Sequence, residues 1–446
     1  MLTRPGRMHV ARRPPSLPEL RLLTLMTRKA RPTRRLKLAR RRRRRGGARR
    51  VLIILENEAV SQSHRVSKQI NTLLEAGYRV AVVTRKHPGN RGYRDRPGVQ
   101  LLEYPPPADA KGQVDYLAEY GYSFLAAAFL SFRAMLSERI DVVQFCQPPD
   151  VYFPLAWALK RLGVRILIDQ RDLLPELYAA RYGRVRPILL SALQICEHLS
   201  HRSAQRIICT NEYQRNRAIN ESGLTPTSVS VIRNGPLLTH VDDAWNDESL
   251  KNGHRYLCCW VGVMGHQDRT DLLVLSVDYL VHELGRKDCG FVIIGYGECL
   301  VSTQALVRGL NLDEWVHFTG ALPAKEVFQY LATADLGVDT GLQSDISPVK
   351  IFEYMAFGIP VVAFDLQETR ALCEGAAVLA EPGDTKAHAR AIDALLSNPQ
   401  QHQELARVGQ AKVREELAWD HQACIYVGVI EQLCCAKPRG SAVLLQ

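Results

Sequence analysis

No run of apolar residues in these 446 positions is long enough to cross a bilayer. The best candidate, Phe124–Phe132, is stopped by Arg133, so an integral membrane protein is not expected. The short run Leu20–Met26 follows charged, proline-rich sequence and has no signal-peptide cleavage pattern, which argues against secretion. Cysteine is sparse. None of the 11 falls in a Cys-x-x-Cys pair, and the adjacent pairs Cys258–Cys259 and Cys434–Cys435 are poorly placed to bridge. That excludes a disulfide scaffold and the common zinc and redox motifs, and fits reduced thiols in a cytoplasmic protein. No Asp-x-Asp pair occurs in residues 51–446, so no carboxylate-held metal is expected. Acid is almost missing from residues 1–50, where Glu19 stands against 19 Lys and Arg.

The net charge of +12 therefore describes two unlike parts, a basic tail and a body of roughly −6. Residues 1–50, with the unbroken run Arg40–Arg45, read as a disordered basic tail, because like charges at that density repel. Its complement is an anionic membrane surface, at about 1 kcal/mol per basic residue near the headgroups. Nucleic acid attracts by the same physics but is not the expected partner. The expected location is cytoplasmic; for the tail, peripheral attachment to the inner face of the membrane and a merely solvated segment both stay open. The body is 46% apolar by residue count when the whole chain is taken, a globular composition, and its length suits two domains.

From Val51 onward, short apolar runs alternate with helical stretches. Strands are expected at Val51–Leu55, Arg79–Thr84, Asp141–Phe145, Val164–Asp169 and Arg206–Thr210. Helices are expected over 64–76 and Val151–Leu162, closed by Gly77 and Gly163. A second series follows Asn234-Gly235-Pro236: strands at Tyr256–Val263, Gly290–Ile294, Val316–Phe318, Leu336–Val338, Pro360–Phe364 and Ala377–Leu379, with a helix over Leu272–Leu284. This is the pattern of two doubly wound α/β domains with Rossmann-like parallel sheets. The expected division is 51–237, 238–420 and a closing segment 421–446, with 238–250 a polar linker. Ligands of such sheets bind outside the carboxyl ends of the strands, here in the cleft between domains.

The segment from Gly341 to Pro360 carries the most chemistry. Ser347 is a good N-cap and Pro348 a good first helical residue, and Gly358 ends the helix. Lys350 and Glu353, three apart, share a face, while Val349, Phe352 and Ala356 form a core-facing stripe. A free helix N-terminus attracts phosphate. A lysine in the first turn opposes the helix dipole, a conflict that an anionic ligand removes. Glu353 is placed to accept from a diol such as a ribose, and Asp345, before the helix, to reach sugar hydroxyls. The alternative is an ordinary capped helix with a surface Lys–Glu pair.

This segment resembles glycosyltransferase family 4, retaining enzymes of the two-domain GT-B fold. Asp345 and Glu353 have the spacing of that family's two acids, and the Asp-x-Ser-x-x-x-Lys pattern and Glu353-Tyr-Met-Ala-Phe-Gly-Ile-Pro360 match a subset of it closely. The resemblance implies that Asp345 contacts the donor sugar, Glu353 the nucleotide ribose, and Lys350, with Ser347 beside it, the diphosphate. Val261–Asp271 resembles the family's glycine-rich turn at the donor phosphates. It implies donor contacts for Gly265, Gln267 and Arg269, the last standing where glycine is usual. Gly295-Tyr-Gly297-Glu298 resembles the loop near the nucleobase. In the amino-terminal half, Glu56-Asn57 with His64-Arg65-Val66, Pro148-Pro149-Asp150, Asp169–Tyr178, Thr210-Asn211-Glu212 and Arg233–Pro236 also match. Arg171 stands where the family usually has a histidine near the reacting sugar, which leaves it as a catalytic candidate or a ligand for an acidic group. Trp419 and 421–435 resemble the helix that returns to the amino-terminal domain. The implied reaction moves a sugar from a nucleoside diphosphate to a carbohydrate, lipid-linked or small-molecule acceptor hydroxyl with retention. It needs no cofactor beyond the donor and no metal. A GT-B epimerase or hydrolase, or a catalytically weak scaffold, are the alternatives.

Overall fold

The computed structural model describes residues 48–56, 58–107, 113–182, 187–343 and 346–435. Apart from 48–50, the expected disordered tail lies outside them, as do Asn57 and Asp345. Seven parallel strands form the first sheet, in the order β3-β2-β1-β4-β5-β6-β7. They are β1 (Arg50–Ile54), β2 (Arg79–Arg85), β3 (Val99–Tyr104), β4 (Val142–Gln147), β5 (Arg165–Gln170), β6 (Arg206–Cys209) and β7 (Val229–Val231). Six more form the second, in the order β10-β9-β8-β11-β12-β13: β8 (Tyr256–Val263), β9 (Cys289–Tyr296), β10 (Val316–Gly320), β11 (Leu336–Asp339), β12 (Val361–Phe364) and β13 (Ala377–Ala380).

The central strands are largely apolar because both faces are covered. Val51 and Ile53 point into one core with Val66, Ile70 and Leu73 of helix α1 (His64–Glu75). Leu52 and Ile54 point the other way, into a core with helices α2 (Gln113–Ser137) and α3 (Phe153–Arg161). The second sheet repeats the scheme. Cys258 and Trp260 pack with helix α4 (Thr270–Asp278), and Leu257 and Cys259 with helix α6 (Val349–Ala356). Helices α5 (Leu300–Gly309) and α7 (Gln367–Cys373) follow β9 and β12. The expected polar linker carries a short helix, Leu238–Asp242.

The chain crosses between the two sheets twice, at 234–237 and at 417–419, and the crossings touch. A Cβ on Gly235 would sit 1.7 Å from the Leu417 carbonyl oxygen, so only glycine fits there. The Trp419 amide donates to the Pro236 carbonyl at 2.9 Å. Beyond it, helix α8 (Trp419–Cys435) lies in the first core. Trp419 Nε1 donates to Thr72 Oγ1 at 3.0 Å, and the Tyr426 hydroxyl to Gln144 Oε1 at 2.6 Å.

Candidate active site

Strand order reverses between β8 and β11, so their carboxyl ends diverge and leave a crevice. Gly262 near the end of β8 and Asp339 at the end of β11 open into a cavity of about 280 Å³, near the lower end of the usual range for small-molecule pockets. Its floor is the start of α6: Ser347, Pro348, Val349, Lys350 and Glu353 all line it. Tyr354 fixes the helix here. Its ring lies so close to Gly337 that a Cβ there would be 2.3 Å from it, and its hydroxyl accepts from the Val261 amide at 3.1 Å.

Two expectations about α6 need correcting. The helix begins at Val349 with Pro348 as N-cap, and no side chain among the described residues caps it. Ser347 is buried at the cavity wall, and its hydroxyl has no hydrogen-bond partner among the described residues. Val349 is 42% exposed and lines the cavity, while Ile351, Phe352, Tyr354, Met355 and Ala356 are the buried positions, all within 1% of full burial. The Gly358 stop is as expected: φ is +70° and its amide donates to the Met355 carbonyl at 3.1 Å.

Lys350 and Glu353 meet at the cavity as the i, i+3 spacing requires. The Lys350 ammonium sits 3.0 Å from Asp268 Oδ1, 3.0 Å from Asp339 Oδ1 and 4.5 Å above the Trp260 ring. Burial alone would lower its pKa, but Asp339 and Asp268 more than offset this and hold it above the usual lysine value. The Glu353 carboxylate accepts no hydrogen bond from a described residue. Burial raises its pKa to about 7 against a partial lowering by Lys68 of α1. Lys68 donates to the carbonyls of Gly235 at 2.7 Å and Asn234 at 3.4 Å, lies 4.9 Å over the Trp419 ring, and is lowered to about 7 by burial and then by Arg65. It brings a charge from the first sheet's layer to the second's across the crossing point.

The expected donor-binding residues divide between two cavities. Gln267 lines the one just described, with its side chain folded over Gly265. Gly265 and Arg269 line a neighbouring cavity of about 430 Å³ between the starts of α4 and α5. Arg269 does not point at Lys350. Its backbone is left-handed, φ +48°, which explains why glycine suits the position. Its guanidinium is held by both oxygens of Asp271, at 2.9 and 2.8 Å. Gly297 is required by a close approach: a Cβ would lie 2.4 Å from the Met264 carbonyl oxygen. Glu298 follows it, half-exposed, with His266 at 3.9 Å.

The residues expected on the first sheet line neither cavity. Arg171, at the end of β5, is paired with Glu58 of the β1–α1 loop and lies 3.5 Å from Ser63 Oγ. Thr210 and Gln214 hold its carbonyl at 3.4 and 3.0 Å. Buried Asp169 accepts from Arg65, at 2.8 Å in the closest contact, and from Gln69 at 2.7 Å. Arg65 also donates to Ile232 and Asn234, so this network braces the crossing segment. Arg233 pairs with Glu368 of α7, beside the cavity-lining Thr369. Sequence reasoning assigned no role to Asp268, Asp339, Lys68 or Glu58. Asp339 was findable as a carboxylate ending a strand at the switch point. The others depend on contacts between distant segments.

Two parallel α/β units facing one crevice, with a lysine and a glutamate on a helix that starts at the crevice, define a GT-B architecture. Comparison with known families agrees. The model described as "Glycosyl transferases group 1" matches residues 255–398, and that described as "Glycosyl transferase 4-like domain" matches 62–235. The chain belongs to the group 1 glycosyl transferases, and is a sugar transferase in that general sense. No curated protein matches it significantly. Among solved structures it is similar to a sucrose-phosphate synthase from Thermosynechococcus elongatus. The TM-score is 0.70 at 16% identity, over 86% of this chain and 99% of that one. A glycosyltransferase from Rickettsia africae gives 0.69 at 11% identity, covering 88% and 100%. Anabaena HepE in complex with UDP and glucose gives 0.67 at 14% identity, covering 86% and 100%. These TM-scores establish a shared fold.

Proposed function

We propose that the protein transfers a sugar from a nucleoside-diphosphate sugar to an acceptor hydroxyl with retention of configuration, in polysaccharide, glycolipid or glycoconjugate synthesis. The observation that carries the reading is the start of α6: a helix N-terminus that no described side chain caps, Lys350 and Glu353 open together into one cavity. The diphosphate lies against the helix start and Lys350, where N–H groups and the ammonium stabilise the charge that grows as the sugar leaves. The ribose hydroxyls donate to the Glu353 carboxylate. Asp345, between cavity-lining Gln343 and Ile346, serves the donor sugar. Arg171 stands on the acceptor side with Glu58. The chemistry needs no cofactor beyond the donor and no metal; Lys350 and the helix end supply the positive charge. UDP is the first nucleotide to try, because HepE is solved with UDP and UDP-glucose.

The acceptor is a carbohydrate, a lipid-linked sugar or a small molecule, and the basic residues 1–50 draw the enzyme to the anionic inner face of the membrane from the cytoplasm. A panel of sugar nucleotides tests the donor reading by thermal stabilisation. A ligand at 100 times its Kd adds about 2.7 kcal/mol of stability and raises the melting temperature accordingly. A panel in which no sugar nucleotide or nucleoside diphosphate shifts the melt refutes it.

A further inference from the structure

Helix α2 is apolar on both faces. Its inner face, Ala127, Leu130 and Ala134, is buried in the first domain's core. On its outer face the exposed positions between Ala118 and Ser137 are Ala118, Gly121, Tyr122, Leu125, Phe129, Phe132, Arg133, Leu136 and Ser137. Leu125, Phe129 and Leu136 are 68, 66 and 90% exposed. The spacing of three and four places all of them on one side of the helix, and Arg133 is their one charge. A solvent-facing helix surface normally carries charges of both signs. A contiguous apolar strip some 27 Å long on a described helix marks a surface that meets something else.

The structure also shows what lies beside the strip. Arg50, the first residue of β1, donates from Nη1 to the carbonyls of Ala134 and Glu138, both at 3.2 Å, so the chain enters the sheet next to the last turn of α2. The run Arg40–Arg45 ends five residues earlier. Five residues reach at most about 18 Å, so the near end of that arginine run is tethered close to the last turn of α2. An acid-free apolar strip with one arginine on it, flanked by a polyarginine segment, is complementary to an anionic bilayer. The hydrocarbon boundary takes Leu125, Phe129, Phe132 and Leu136, and the headgroups take the arginines. At its other end the strip reaches the carboxyl-end side of the sheet, where the Tyr122 hydroxyl donates to the Pro105 carbonyl just past β3.

We propose that the outer face of α2 is a membrane-docking surface that seats this domain on anionic lipid, with residues 1–50 as its electrostatic half. The proposal rests on the reading of the tail for that half only, and not on the donor chemistry. It is tested on the full chain by co-sedimentation with vesicles of phosphatidylglycerol in phosphatidylcholine. Leu125→Glu and Phe129→Glu are each expected to weaken binding about tenfold or more, with the melting temperature and nucleotide affinity unchanged. Salt at 0.5 M should weaken wild-type binding without abolishing it, since it screens the arginines but not the apolar strip. In an independent readout, Phe129→Trp should shift its emission to the blue when anionic vesicles are added. Vesicle binding that is unchanged in both glutamate variants and vanishes in salt overturns the proposal and leaves the tail reading standing. So does a concentration-dependent dimer in sedimentation that Leu125→Glu dissolves, since the strip would then be a self-association face.

Discussion

Replacing Lys350 by methionine keeps the length of the side chain and removes its charge. Asp268 and Asp339 each lie 3.0 Å from the ammonium, so their nearer oxygens are at most about 6 Å apart. At an effective dielectric of about 20, two bare carboxylates at that distance repel by about 3 kcal/mol. Both are also partly or wholly shielded from water, and Asp339 is 8% exposed. Removing one member of a buried charge cluster costs about 3–5 kcal/mol, and we expect Lys350→Met to lose that much. With a urea slope of about 2 kcal/mol per molar, the unfolding midpoint of the second domain drops by about 1.5–2.5 M. Adding Asp339→Asn to Lys350→Met should recover about 2–3 kcal/mol, a coupling that a double-mutant cycle reads directly. Asp268→Asn alone frees the ammonium from one of its two anionic partners, and should tighten UDP binding several-fold in calorimetry. A Lys350→Met protein as stable as wild type refutes the charge argument. An Asp268→Asn protein with unchanged UDP affinity refutes the assignment of Lys350 to the phosphates.

Other expectations follow from single contacts. Burial holds Glu353 protonated up to about pH 7. If the ionised form accepts the ribose hydroxyls, UDP-glucose should bind about tenfold more tightly at pH 8 than at pH 6, and Glu353→Gln should flatten that profile. The stability sign is the opposite. The folded state holds this proton more tightly than the unfolded chain, so its contribution falls as pH rises from about 4.5 to 7, and pH-resolved urea melts of wild type against Glu353→Gln measure it. At the left-handed Arg269, valine should cost at least 1 kcal/mol more than glycine, roughly the price of that backbone for a branched residue, as seen in thermal melts. Gly235→Ala should destabilise by several kcal/mol, because the Leu417 carbonyl occupies the space its methyl needs; full stability in that variant would contradict the tight crossing.

The two-sheet architecture was legible because its central strands are continuous apolar runs, and because glycines close the helices after them. Tyr256–Val263 was placed to the residue. Strand β3 and helix α2 were not anticipated. β3 is an edge strand whose Gln100 and Glu103 interrupt the apolar pattern. Helix α2, apolar on two sides, has no amphipathic period to read. Within the site, local sequence located Lys350 and Glu353 on one helix face, since i, i+3 geometry is a property of the helix alone. It misplaced the cap by one residue and put Val349 in the core, because both depend on where the cavity opens. The Arg269 expectation came from the resemblance of its turn and from its charge. The backbone angle and the neighbouring Asp271 decide where that charge points, and neither is visible without the fold. The pairing of Lys350 with Asp268 and Asp339, 82 and 11 positions away, was beyond local reasoning for the same reason.

The central claim is that a sugar nucleotide binds at the start of α6 with its ribose on Glu353. Calorimetric titration of UDP-glucose and UDP into wild type and Glu353→Ala at pH 8 tests it most directly. The account predicts saturable one-site binding to the wild type, and at least a tenfold loss in a variant that melts normally. Equal affinity in the two proteins would contradict it.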